Sequence, residues 1–198
     1  MRVIAGSAGG IRLAVPKRGV RPTMDRVKGA IFSSLGDAVV EARVLDLFAG
    51  SGALGIEALS RGASSVVFVE EDEQSAEIIE CNLAKTKLKG RIRQQDAFDF
   101  LGHASGSELF DIVFADPPYE KTEKGERFTE KLLANEALSR LLEPAGTFVL
   151  EKKPEETLPE MKLWRLIRQK TYGATEVLFL SRSGAGSSKA LRAKLLKT

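Results

Sequence analysis

Two short stretches of this 198-residue chain carry residue types and spacings that could do chemistry. One is Asp46-Leu47-Phe48-Ala49-Gly50-Ser51-Gly52-Ala53-Leu54-Gly55; the other is Asp116-Pro117-Pro118-Tyr119. In the first, Gly50, Gly52 and Gly55 fit the pattern G-x-G-x-x-G. That spacing permits a tight strand-to-helix turn and lets backbone N–H groups approach a ligand with no Cβ in the way. Glu70 follows the next apolar run, where a carboxylate can accept from two ribose hydroxyls. On the glycines alone, a dinucleotide site and a chance match are equally good readings.

Asp46 changes the balance, because a carboxylate beside the loop would repel a pyrophosphate and suits a ligand with an ammonium group. S-adenosyl-L-methionine has ribose hydroxyls, an α-amino group and no phosphate. The second stretch points the same way. Pro117 and Pro118 fix φ and remove two N–H donors, leaving a rigid, carbonyl-rich turn. The Asp116 carboxylate and a backbone carbonyl can then both accept from one exocyclic amine, while Tyr119 offers a face to a base.

Both stretches need elements to bring them together. Residues 42–45 and 112–115 are apolar runs that read as buried strands, so both motifs fall at carboxyl ends of strands, the ligand-binding edge of an open parallel sheet. Strand and helix patterns alternate from residue 42 onward, which predicts a doubly wound α/β fold. A helix is expected over 52–60 and a strand over 65–69 ending in Glu70. Asp72 should cap a helix with Ala76, Ile79, Leu83 and Ala84 on one face, and Cys81 reads as a small helical core residue. A third strand follows over 91–95, and then Asp96, which could meet an adenine amine, and Ala97 or Phe98, which could lie against the ring; Asp96 also reads as the cap of a helix over 97–101. His103 reads as a surface residue.

A helix over 129–142, a turn over 143–146 and a strand over 147–150 come next, which puts Glu151 and Lys152 near the same pocket edge. Residues 163–170 and 174–181 read as a final antiparallel pair, and Tyr172 between them as structural. Before the sheet, residues 2–5 and 11–15 read as a hairpin, 16–22 as a basic connector, and Thr23 as the cap of a helix striped by Val27, Ala30, Ile31 and Leu35. This divides the chain into an extension (1–40), a catalytic domain (41–182) and a basic tail (183–198).

Charge is unevenly spread. Residues 1–28 hold seven Lys and Arg against one acid and the tail holds four against none, so a net charge of +3 leaves the middle at −7. An acidic body with basic extremities fits a polyanion gripped at its edges. One cysteine rules out an internal disulfide. No stretch approaches a membrane span, and the first residues lack signal-peptide organisation, so a cytoplasmic protein is expected.

Residues 46–62 (DLFAGSGALGIEALSRG), Asp116 to Tyr119 and the leader Arg21-Pro22-Thr23-Met24-Asp25-Arg26-Val27 together resemble the bacterial 16S ribosomal RNA guanine-N2 methyltransferases of the RsmD type. The likeness runs from Arg2 to about Arg182. Lys28-Gly29 departs from the Arg-Glu usual there, which leaves no acidic group at that point. The resemblance implies a Rossmann-like class I methyltransferase sheet with a small N-terminal hairpin and helix. It implies S-adenosyl-L-methionine as cofactor and small-subunit ribosomal RNA as partner; the residues themselves offer no metal-ligand cluster, and a monomer is the default expectation. The expected catalytic set is Asp116, Pro117, Pro118 and Tyr119. The expected cofactor set is Asp46, Phe48, Ala49, Gly50, Ser51, Gly52, Glu70, Asp96 and Ala97. RNA contacts are expected from Arg12, Lys17, Arg18, Arg21, Thr23 and Arg26.

The residue pattern itself leaves other readings open: a DNA adenine-N6 methyltransferase, a nicotinamide-dependent oxidoreductase, or an RNA-binding assembly module without catalysis.

Overall fold

The computed structural model describes residues 1–16, 24–104, 108–118 and 127–184. Lys17, Arg18, Arg21, Thr23, Tyr119 and the basic tail from residue 185 lie outside them.

After α1 (Met24–Leu35) and a 3-10 turn (Gly36–Val39) come β1 (Arg43–Leu47), α2 (Ala53–Ser60), β2 (Ser65–Glu70), α3 (Glu73–Thr86), β3 (Arg91–Gln94), α4 (Ala97–His103) and β4 (Phe110–Ala115). Then follow α5 (Phe128–Leu133), α6 (Glu136–Leu141), β5 (Leu142–Lys152), β6 (Trp164–Tyr172) and β7 (Thr175–Arg182). The seven strands form one sheet in the order β3-β2-β1-β4-β5-β7-β6. β1 to β5 are parallel and β7 runs against both of its neighbours. The carboxyl ends of β1 and β4 lie side by side, with Leu47 opposite Ala115.

Alternation along the strands divides the core between the two faces of the sheet. Val44, Phe68, Phe114 and Val149 pack with α1, α2 and α3 on one face. Leu45, Val113, Phe148 and Leu178 pack with α4, α5 and α6 on the other. Val3, Ala8 and Leu13 belong to the first cluster, so the N-terminal segment shares the core of the sheet.

Several expectations are corrected. The hairpin is a single antiparallel bridge, Arg2 with Arg12, beside backbone bonds from Val3 and Gly10. β1 runs on through Asp46, because its ladder with β2 and β4 continues to Leu47. The helix expected over 129–142 is two, since Asn135 accepts from the N–H of Leu138 and starts α6 afresh. Residues 143–146 bulge out of a strand that begins at Leu142, which pairs with Phe110 before Thr147 pairs with Ile112. In α3, Cys81 and Ala84 are exposed and the buried stripe takes Asn82 and Thr86 instead. Cys81 lies about 200° around the helix from buried Ile79, on the solvent side.

Candidate active site

The glycine loop is shaped by left-handed backbone and by close packing. Gly52 precedes α2 at φ 73°, a conformation cheap only for glycine. A Cβ at Gly55 would stand 2.3 Å from the Phe68 ring, so glycine there lets α2 lie against β2. Phe48 adopts φ 56°, unusual for a bulky side chain and characteristic of functional loops.

Carboxylates fix this loop. Glu70 Oε2 accepts from the N–H of Gly50 at 2.6 Å and its Oε1 from Asp72 at 3.0 Å. Asp46 Oδ2 accepts from the N–H of Gly55 at 2.8 Å. Burial pushes the Asp46 carboxyl up to about 8 against the help of that bond, and the charges of Asp116 and Glu70 push it the same way. Asp96 Oδ1 caps α4 through the N–H groups of Phe98 and Asp99, and Asp72 caps α3 through Ser75. His103 is exposed, with Nδ1 against Asp99 O.

A cavity of about 250 Å³ opens at the carboxyl ends of β1, β2, β3 and β4, lined by Phe48, Val69, Glu70, Glu71, Gln95, Asp96, Ala97, Asp116 and Pro118. It brings together six of the expected site residues from four separate strand ends. Of the other described ones, Asp46, Ala49, Ser51, Gly52 and Pro117 are buried and Gly50 is half-buried. Val69, Glu71 and Gln95 were not singled out from sequence, although each adjoins a residue that was. Phe98 reads from sequence, with Ala97, as a surface for the adenine ring; Phe128 was missed. Their rings are stacked at 6.1 Å, and Phe48 meets both edge-on.

The N-terminal segment reaches the same loop. Buried Asn82 donates to Ser51 O and Ala14 O, both at 2.9 Å, and accepts from Ala14 N–H. Glu57, fully buried in α2, accepts from the N–H groups of Ile4 and Ala5 and pairs with Lys28 and Arg61. Burial lowers the Lys28 pKa, and Glu57 offsets part of that. Arg12 and Arg26 are exposed. Glu151 and Lys152 are buried in β5 rather than set at an open edge, and Lys152 pairs with Glu176 at 2.8 Å. Among the described residues no group of His, Cys, Asp and Glu could hold a metal.

The family described as "Conserved hypothetical protein 95" matches residues 1–181. Ribosomal RNA small subunit methyltransferase D of Escherichia coli is 36% identical over 96% of this chain and 94% of its own length. The chain belongs to this family. A hypothetical protein of Thermus thermophilus has a solved structure that matches 92% of the chain and 99% of its own, with a TM-score of 0.77 and 31% identity. A Thermus thermophilus 16S rRNA N2 G1207 methyltransferase, solved with AdoMet and guanosine, matches 84% of this chain and 44% of its own at a TM-score of 0.64 and 26% identity. The sheet is that of a class I methyltransferase.

Proposed function

We propose that this protein transfers a methyl group from S-adenosyl-L-methionine to the exocyclic N2 amine of a guanine in 16S ribosomal RNA. The observation that carries the reading is the shared cavity, in which Asp116 and Pro118 face Glu70, Asp96 and Ala97. Membership of the methyltransferase D family supports the RNA target. The residues present fit the cofactor: carboxylates for ribose and ammonium, and the apolar surfaces of Phe48, Val69 and Ala97 for adenine. When bound, it supplies an electrophilic methyl group on sulfur.

What the chain contributes is orientation. The lone pair of a guanine amine is delocalised into its ring. Asp116 and the Pro117 carbonyl, both accepting from that NH₂, favour a pyramidal nitrogen whose lone pair faces the methyl carbon. As the N–C bond forms and the C–S bond breaks, the nitrogen becomes cationic and releases a proton to Asp116 or to water. Tyr119 stacks on the base, which must turn out of its helix to enter.

Arg12, Lys17, Arg18, Arg21, Thr23 and Arg26 hold phosphates from the N-terminal side. Their contribution weakens steeply with salt. The protein acts in the cytoplasm as a monomer on small subunits or a late precursor, in keeping with the lack of a membrane-spanning helix among the described residues.

The test is incubation with tritiated S-adenosylmethionine and small subunits from cells lacking the protein, followed by nucleoside analysis. Label in N2-methylguanosine is the expected result. Label in DNA alone, or none in RNA, overturns the substrate assignment.

A further inference from the structure

α5 has six residues, too few to persist as an isolated helix, so its neighbours decide where Phe128 stands. At its start, Thr129 Oγ1 donates to Glu156 Oε2 at 2.5 Å. Glu156 lies in the segment after β5, whose carbonyls are gathered by one amine. Lys152 Nζ donates to Lys153 O at 2.6 Å and to Glu156 O at 2.9 Å, and pairs with Glu176 at 2.8 Å. Glu176 in turn accepts from Gln169 at 2.8 Å and Thr171 at 3.1 Å. At the other end of α5, Trp164 Nε1 donates to Leu133 O at 3.0 Å.

The Lys152 and Glu176 side chains are 1% and 8% exposed. Burying such a pair seldom gains stability over apolar residues of the same size, whereas an ammonium can order several carbonyls at once. The ordered segment leads to the cavity, because the Phe128 ring lies 5.6 Å from that of Phe48, which lines it. α5 is also the first described element after Asp116-Pro117-Pro118.

We propose that Lys152, with Glu176, is a positioning residue for methyl transfer: by fixing residues 153–156 it anchors Thr129 and so places Phe128 as the aromatic wall that aligns the target base beside Asp116. The inference rests on the methyltransferase reading above.

Thr129→Val, Lys152→Met and the exchange Lys152→Glu with Glu176→Lys are compared with wild type in tritium transfer to small subunits, in S-adenosylhomocysteine affinity, in Tm and in emission from Trp164, the only tryptophan. Misplacing an aligning group lowers kcat, so Thr129→Val and Lys152→Met should lose roughly tenfold or more in kcat while cofactor affinity stays within about twofold. The exchange restores opposite charges and recovers most of the Tm, but a carboxylate at position 152 cannot donate to the two carbonyls. Its kcat therefore stays low and its Trp164 emission stays shifted. Wild-type kcat in the exchange, or in Thr129→Val, overturns the proposal. Should Lys152→Met fail to fold, Thr129→Val decides alone. A wild-type protein that methylates no nucleic acid overturns the methyltransferase reading, and the clamp's purpose with it; active wild type with unimpaired Thr129→Val overturns the clamp only.

Discussion

The two sides of the cavity are held by opposite chemistry. On the glycine-loop side, carboxylates collect backbone N–H groups: Glu70 takes Gly50, Asp46 takes Gly55, and Glu57 takes Ile4 and Ala5. On the α5 side, donors collect carbonyls: Lys152 takes Lys153 and Glu156, and Trp164 takes Leu133. The difference follows from what each backbone leaves unpaired. The loop leading into α2 presents amides, whereas the segment after β5 and the end of α5 present carbonyls. The carboxylate side suits a cationic cofactor, since its acids answer both to amides and to positive charge.

Asp116 lies where the two sides meet, so its removal should have the largest effect. Asp116→Ala should lower transfer by about 10²-fold or more while cofactor affinity stays near normal, because orientation and proton acceptance are lost together. Single-turnover assays beside calorimetry would check it, and wild-type turnover would remove Asp116 from the mechanism.

Next comes the carboxylate that secures the N-terminal segment. Glu57→Ala leaves Lys28, whose side chain is 4% exposed, with the Arg2 carbonyl at 2.6 Å but no counter-charge, and a buried charge left without its partner costs about 3–5 kcal/mol. Urea denaturation would register the loss. A change below about 1 kcal/mol would mean that Lys28 finds water or another acceptor.

Asp46 gives the comparison a pH signature. Its carboxyl is raised to about 8 in the fold, so the protonated form is the favoured one. The stability it contributes is complete below the unfolded value near 4 and is lost as pH rises through about 8. Asp46→Asn, which stays neutral, should flatten this decline in denaturation measured at several pH values. A cationic ligand reverses the preference, so cofactor affinity in the wild type should rise with pH up to about 8. A profile equal to that of Asp46→Asn would show that Asp46 ionises as readily in the fold as in the unfolded chain.

The smallest effect is expected at the far edge of the sheet. Arg43 pairs with Asp111 and Glu143, but its side chain is 43% exposed. Arg43→Ala should therefore cost about 0–1 kcal/mol and leave transfer unchanged. A large loss of activity there would mean that both edges of the sheet matter to the site.

How far the sequence reached follows the same division. The glycine spacing, Asp46, Glu70, the caps at Asp72 and Asp96 and the Asp-Pro-Pro turn are legible because each works within a few residues of a strand end, where side-chain type and backbone demand coincide. Together with the alternating apolar runs and the family resemblance, they yield the doubly wound fold, the carboxyl edge of the sheet and six residues of the cavity wall. The break before α6 was also written locally, in the capping Asn135, but a continuous apolar pattern hid it.

Other features were settled only by the tertiary structure. Lys28, Lys152, Asn82 and Glu57 are residue types that usually face water, and nothing beside them in the chain announces burial. Their partners lie tens of residues away: Glu57 meets Ile4, Asn82 meets Ala14, and Lys152 meets Glu176. The aromatic cluster likewise takes Phe48 from the loop after β1 and Phe98 and Phe128 from the first turns of α4 and α5. A charge is buried when folding brings a matching group to it, and that meeting belongs to the packing of the sheet and its helices.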